Sequence, residues 1–372
     1  MQKVAQSWLV FTLTGSAFLL GLDSFLGELP ILLFSLLGGV VADRMDRRRL
    51  LLASQYLQMT FALTLAALIY FNRVNIWHIL LLSFLTGTAQ SFGGPAYQSL
   101  IPTLVEKKDI PNAIALNSIQ FNLARIIGPI VAGLAFSGLG AAACFLLNGV
   151  SFLAVIFSLS SFKSRAIPSE SPTNLVDELR TGLLFVSGQP VLQALSFLAF
   201  CSTFLGVPLI TMLPLFAKDV FRLGPRGYSG LLACTGVGAV IGALVVAGLG
   251  NFPNKGKVAL VLQLLFGAMV VLFAFSPALW LSLLALLLAG IALVAVFALL
   301  SSLVQLQAPE AMRGRVVSIY MMAFRGGTPL GSLATGFLAS HVSPSWVLAG
   351  NGLIMCLVGG IFLLQRQKVH LE

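Results

Sequence analysis

The sequence predicts an all-α polytopic membrane protein built from two pseudo-symmetric six-helix bundles, and three observations predict it. The 372-residue chain is 58% hydrophobic and 9% charged, against ~45–50% and ~25% for soluble domains; its mean hydropathy is +0.97. Its apolar runs reach the ~20 residues that a hydrocarbon core ~30 Å thick demands. A motif in the first half recurs in the second, Ser118 matching Ser318.

Taken in order, spans are expected at 1–14, 16–42, 50–71, 76–104, 112–136, 139–161, 190–216, 227–249, 257–275, 278–305, 315–339 and 345–365. Each should be helical, because lipid leaves no partner for unsatisfied backbone groups. The first, MQKVAQSWLVFTLT, reaches only ~21 Å at ~1.5 Å per residue. It would leave the Met1 ammonium inside the membrane, so a truncated first helix is expected; the alternative lays 1–14 on the surface and leaves eleven spans. The hydrophilic stretch 162–189 is a linker, and NLVDELRTGLLFV within it reads as an amphipathic helix at the membrane surface. The expected domains are an N-terminal bundle (1–161), the linker, a C-terminal bundle (190–365) and a tail (366–372).

Charge sets the orientation. Arg44, Arg47–Arg49, Lys107, Lys108, Lys163, Arg165, Arg180, Lys255, Lys257, Arg313, Arg315, Arg366 and Lys368 fall in one set of loops; Arg73, Lys218, Arg222 and Arg226 fall in the other. Positive residues stay inside, so the first set and the C-terminus are expected to be cytoplasmic. The net charge of +10 is dispersed between apolar runs rather than gathered on one face, which argues against nucleic acid as a partner. Cys144, Cys201, Cys234 and Cys356 each stand alone in apolar segments, so neither a disulfide framework nor a metal site is indicated. No ATP-binding, HExxH or GxSxG motif is present; no cofactor is expected and an enzyme is disfavoured.

The repeat sets SIQFNLARIIGPIVAGLAF from Ser118 against SIYMMAFRGGTPLGSLATGF from Ser318, aligning Arg125 with Arg325 and Pro129 with Pro329. Span five thus matches span eleven, as parallel six-span halves of a transporter would.

The charge-rich stretch GGVVADRMDRRRLL, residues 38–51, resembles the loop-2/3 signature of the major facilitator superfamily, through Gly39, Asp43, Arg44, Arg47 and Arg48. Asp46 stands where that signature has glycine. Together with MQKVAQSWLV, LNSIQFNLARIIGPIVAG and APEAMRGRVVSIY, the chain is similar to the branch of enterobactin exporters and macrolide-type efflux proteins. Physically, Gly39 permits close helix approach and Asp43 suits the positive end of a neighbouring helix. The resemblance names that helix as span eleven and implies a cytoplasmic latch between halves; a topology signal alone is the simpler reading. The matching second-half loop, GLGNFPNKGK, lacks the acid.

ARIIGPIVAG in span five is similar to the superfamily's antiporter signature through Gly128, Pro129 and Gly133, next to Arg125. Ala124, Gly128 and Ala132 would form a small-residue seam, and Pro129 permits a bend; ordinary helix packing explains the same residues.

Lys3, Asp23, Glu28, Arg125 and Arg325 are charges within spans, which makes them functional candidates. Counted from the hairpin at Gly15, Lys3 and Glu28 lie at one depth. Lys3, Arg125 and Arg325 are therefore candidate partners for Glu28, with Asp23 nearer the outside. Burial favours a neutral carboxyl and a nearby cation a charged one, so Glu28 first and Asp23 second are candidates for proton exchange; a static ion pair is the alternative. The resemblance implies a cavity lined by spans 1, 4, 7 and 10, whose polar residues include Gln6, Gln90, Gln98, Ser202, Thr203 and Gln305, with Tyr97 and Phe92 able to stack on an aromatic ligand.

These readings converge on a monomeric secondary transporter of the bacterial cytoplasmic membrane. It is expected to export a lipophilic or siderophore-like small molecule by proton antiport and alternating access. A proton-coupled importer of the same fold and an inactive paralogue or scaffold are the alternatives.

Overall fold

The computed structural model describes residues 1–161, 175–250 and 252–365. Among them every regular element is helical: α1 (Gln2–Thr14), α2 (Ala17–Arg44), α3 (Arg47–Tyr70), α4 (Ile76–Leu100), α5 (Ile110–Ser161), α6 (Leu175–Ser187), α7 (Pro190–Gly206), α8 (Pro208–Leu215), α9 (Pro225–Leu249), α10 (Lys255–Phe275), α11 (Leu279–Gln307), α12 (Arg313–Ala339) and α13 (Pro344–Gln365). Eight helical segments are long and apolar enough to cross a membrane by themselves. The 13-residue α1 is too short. α4 and α12, at 25 and 27 residues, are not among the eight; their glycines, serines and threonines lower the hydropathy while letting neighbouring helices come close.

Local chemistry explains the ends. Gly15 takes a left-handed φ of 62° and its N–H bonds the Phe11 carbonyl, closing α1. Ser16 then caps α2 by accepting from the Leu19 N–H at 3.3 Å, so a three-residue signal turns the chain back. Asn75 and His78 form a capping box at α4. The 52 residues of α5 hide a reversal at Gly140, whose φ is 85°. Cys144 Sγ lies 4.0 Å from the Ala132 carbonyl, although twelve helical residues would separate them by ~18 Å. The turn between spans five and six is thus Gly140 itself. The seventh span, expected as one helix over 190–216, is interrupted at Pro208 and runs on through a π-helical turn, Phe216–Val220. Proline has no N–H to give the preceding turn.

The chain divides into two compact units: Met1–Ser171 with Arg222–Gly230, and Pro172–Phe221 with Leu231–Glu372. Within the first, α2 packs on α4, α3 on α4 and α5, and α1 on α5. Within the second, α10 packs on α11 and α13, α12 on α7, and α9 on α11 through Gly238, Gly242 and Gly290. Each pairing in one unit has its counterpart in the other. A Cβ at Gly38 would run into the Ser91 carbonyl, and one at Gly238 into the Leu287 carbonyl. With lipid as apolar as leucine, such backbone-to-backbone fit holds helices together where hydrophobic transfer does not. The linker helix α6 is more than a surface float: Gly182 rests on Arg315 and Ile319 of α12, and Val186 enters the core around Leu195, Leu299 and Tyr320.

Candidate functional site

The hairpin at Gly15 lays α1 antiparallel to α2 and brings Lys3 Nζ onto Glu28 Oε1. About one turn toward the hairpin, Asp23 is 7% exposed, the one buried charged residue among those described. Its Oδ1 accepts from Gln6 Nε2 at 2.8 Å and from Ser83 Oγ on α4. Gln6 Nε2 also reaches Ser83 Oγ at 2.6 Å, and Ser83 Oγ lies 2.9 Å from its own helix's Ile79 carbonyl. Three helices therefore meet on one carboxyl.

This arrangement has a property that ordinary buried acids lack. Ser83 has one hydroxyl proton and two acceptors in reach, Asp23 and the Ile79 carbonyl. When Asp23 is charged, Ser83 and Gln6 both donate to it. When Asp23 is protonated, it donates to Ser83, which turns its proton to Ile79 while Gln6 still serves the hydroxyl oxygen. No polar group is stranded in either state, so the site avoids the ~1–3 kcal/mol cost of an unsatisfied buried group. Sequence reading missed Ser83. Its signal was depth: Ser83 is seven residues into α4 and Asp23 six into α2, both counted from the same side of the bundle.

The remaining candidates are placed as follows. Arg125 lies exposed, its guanidinium 4.7 Å from the Phe121 ring centre, and Arg325 is exposed on α12. Arg125 does not pair with Glu28 among the described residues. Depth was counted along the helix, but depth does not fix the rotation that decides which face a side chain leaves from. A Cβ on Gly128 would come 3.6 Å from the Met1 nitrogen, and one on Gly133 would strike the Ser229 side chain. Ala132 is buried, Pro129 half-buried and Ala124 exposed, so the packed face does not follow the expected 124–128–132 seam throughout. Gln90 and Gln98 are exposed, Phe92 is half-buried, and Tyr97 donates to Asn117 Oδ1 at 2.6 Å. Ser202 and Thr203 are buried, with hydroxyls given to carbonyls of their own helix; Thr203 packs against Gly327.

In the charge-rich loop, Gly39 does not make the close approach: a Cβ there meets nothing within 4 Å, and its neighbour Gly38 is the one against α4. One residue turns the helix by ~100° and moves the contact to a different face. Asp46 caps α3, accepting from the Arg48 N–H at 2.9 Å and the Arg49 N–H at 3.4 Å. Arg47 reaches the Ser99 carbonyl at 3.2 Å; Arg48 reaches the carbonyls of Leu159 at 2.5 Å and Ser160 at 2.6 Å. Guanidinium groups on free carbonyls at helix C-termini are favourable by charge and by dipole, and they tie α3 to the ends of α4 and α5. The side chains of Asp43 and Arg44 lie outside the described residues.

The family model described as "Transmembrane secretion effector" matches residues 1–370. The chain belongs to this family of the major facilitator superfamily. Similar members are the multidrug efflux pump Tap of Mycolicibacterium fortuitum, 26% identical over 99% of this chain and 92% of that one, and the staphyloferrin A transporter of Staphylococcus aureus, 25% identical over 100% and 94%. The enterobactin exporter EntS of Escherichia coli is 26% identical over 96% and 83%. Among solved structures, a bacterial homologue of the human lysosomal transporter Spinster superposes with a TM-score of 0.76 at 14% identity, covering 99% of this chain and 92% of that one. The nucleoside transporter NupG gives 0.71 at 15%, covering 99% and 94%. The fold of this secretion-effector relative is the major facilitator fold, and the protein is a multi-span membrane transporter of small molecules, outside the enzymes.

Proposed function

We propose that the protein exports a lipophilic or siderophore-like small molecule across the bacterial cytoplasmic membrane in exchange for protons, by alternating access, as a monomer with its C-terminal tail in the cytoplasm. The observation that carries the proton half is the Gln6–Asp23–Ser83 network, complete with or without a proton on Asp23. Glu28, held by Lys3, sits beside it on the same helix and is the second carboxyl of the relay. The export half is supported by relatives whose names are those of efflux pumps and exporters. Import is the alternative that the same proton chemistry would serve, since an exchangeable carboxyl has no built-in direction.

The test uses everted and right-side-out vesicles loaded with a pH reporter. Substrate-dependent proton release is expected in everted vesicles, with drug or siderophore accumulating inside them. Accumulation driven only in right-side-out vesicles would replace export by import. Proton release unchanged in both Asp23→Asn and Glu28→Gln would remove these carboxyls from the coupling.

A further inference from the structure

A cavity of about 480 Å³ opens at the Arg-bearing end of α11 and α12, in the second unit. Ala298, Ser301, Ser302 and Gln305 line it from one face of α11, spaced as i, i+3, i+4 and i+7, the interval that stacks side chains on a helix. Leu306 and Arg313 complete the wall. The most apolar stretch of α11 has a mean hydropathy of 3.0, the highest among the candidate spans, and the two hydroxyls and the amide on its last two turns stand apart from it. Gln305 Nε2 leans toward Ser301 Oγ at 3.3 Å, and the Ser302 hydroxyl has no hydrogen-bond partner among the described residues.

Arg313 is what gives the cavity a sign. The ion pairs among the described residues are Lys3–Glu28, Arg49–Asp46 and Lys108–Glu106; among these residues Arg313 pairs with no acid, Glu310 included. Arg313 is also the first residue of α12, whose first turn carries no acidic residue, so the helix dipole adds to the same positive potential. A guanidinium fork beside hydroxyl and amide donors matches planar oxyanions.

We propose that this cavity binds an oxyanion, a carboxylate or a phosphate, held by Arg313, Ser301, Ser302 and Gln305. The oxyanion belongs either to a free anionic solute or to a lipid headgroup. The site stands whatever the direction or coupling of transport.

The test measures equilibrium binding of radiolabelled citrate to the purified full chain in nanodiscs of phosphatidylcholine, alone or with added phosphatidylglycerol, with no gradient present. Wild type is expected to bind citrate saturably in phosphatidylcholine. Arg313→Gln should weaken this about tenfold or more, the loss of charge-assisted bonds. The Ser301→Ala/Ser302→Ala double variant, which keeps the charge, should weaken it severalfold, and Arg73→Gln, in a loop of the first unit, should leave it unchanged. If the headgroup is the occupant, phosphatidylglycerol will displace citrate, and native mass spectrometry will find that lipid retained by wild type and lost from Arg313→Gln. The proposal is overturned if wild type binds neither citrate nor phosphatidylglycerol, or if both variants, eluting as folded protein, bind them as wild type does.

Discussion

The two units share a packing scheme and differ in what they bury. Helix for helix the pairings repeat, and Gly38 and Gly238 make the same kind of backbone contact. Yet the first unit buries a carboxyl and a serine, joined by a half-buried amide, where three helices meet. Among the described residues the second unit buries no charged side chain; its buried polar groups are neutral, such as Asn351 with Thr335 at 3.0 Å, and Gln263 and Ser282. A charge in a span is costly, whereas a hydroxyl can return its proton to its own helix, as Ser202 and Thr203 do. Duplicated backbone therefore does not imply duplicated chemistry: the helix pairings repeat, but the buried carboxyl does not.

The sharpest way to break this contrast is to make the first unit as neutral as the second. Asp23→Asn keeps the shape but removes the group that both gives and takes a proton. Substrate-dependent proton release is expected to fall to background, while Ser202→Ala and Thr203→Ala change it by less than about twofold, being packing residues. Equal losses in both units would dissolve the distinction. Glu28→Gln should also depress release, while thermal stability in detergent should change by less than about 1 kcal/mol, because the Lys3 side chain is largely exposed and an exposed pair contributes little.

The glycines sharpen the other side, the sameness. Gly38→Val and Gly238→Val should each lower stability by about 1–3 kcal/mol through overpacking against a carbonyl, read as the unfolding midpoint in detergent. Gly39→Val, facing open space, should cost little. If Gly39 proved the sensitive position, the assigned face of α2 would be wrong by one residue.

That one-residue difference shows where the sequence stops being informative. Spans, the repeat and the depth of Lys3 and Glu28 were legible because hydropathy and residue counting report distance along a helix. The Gly15–Ser16 turn fixed the register of α1 against α2, so the contact between Lys3 and Glu28 could be anticipated. Rotation was not legible. Gly38 and Gly39 are equally good glycines until a neighbour chooses between them, and Arg125 met an aromatic ring on its own helix instead of Glu28. Ser83 was invisible for a different reason: a serine in a span most often bonds its own i−4 carbonyl, and only its depth beside Asp23 set it apart.

The smallest expected effects concern the loops that join the matching helices. Arg48→Gln gives up two bonds to helix-end carbonyls and should cost about 1 kcal/mol, discounted for its partial exposure. At Asp46 the comparison with the second unit is direct. α3 starts with a side-chain cap from Asp46, whereas α10 starts after Asn254 at a left-handed φ of 60° with no side-chain bond. Asp46→Ala should lose about 1 kcal/mol, but Asp46→Gly only a few tenths, because glycine is itself a tolerated N-cap. Asn254→Gly should be neutral or slightly stabilising, since glycine takes the left-handed region without penalty. A large loss for Asp46→Gly would mean that this acid, at a position where the signature has glycine, does more than start a helix, and that the loop of the first unit has a charge-dependent role that its counterpart lacks.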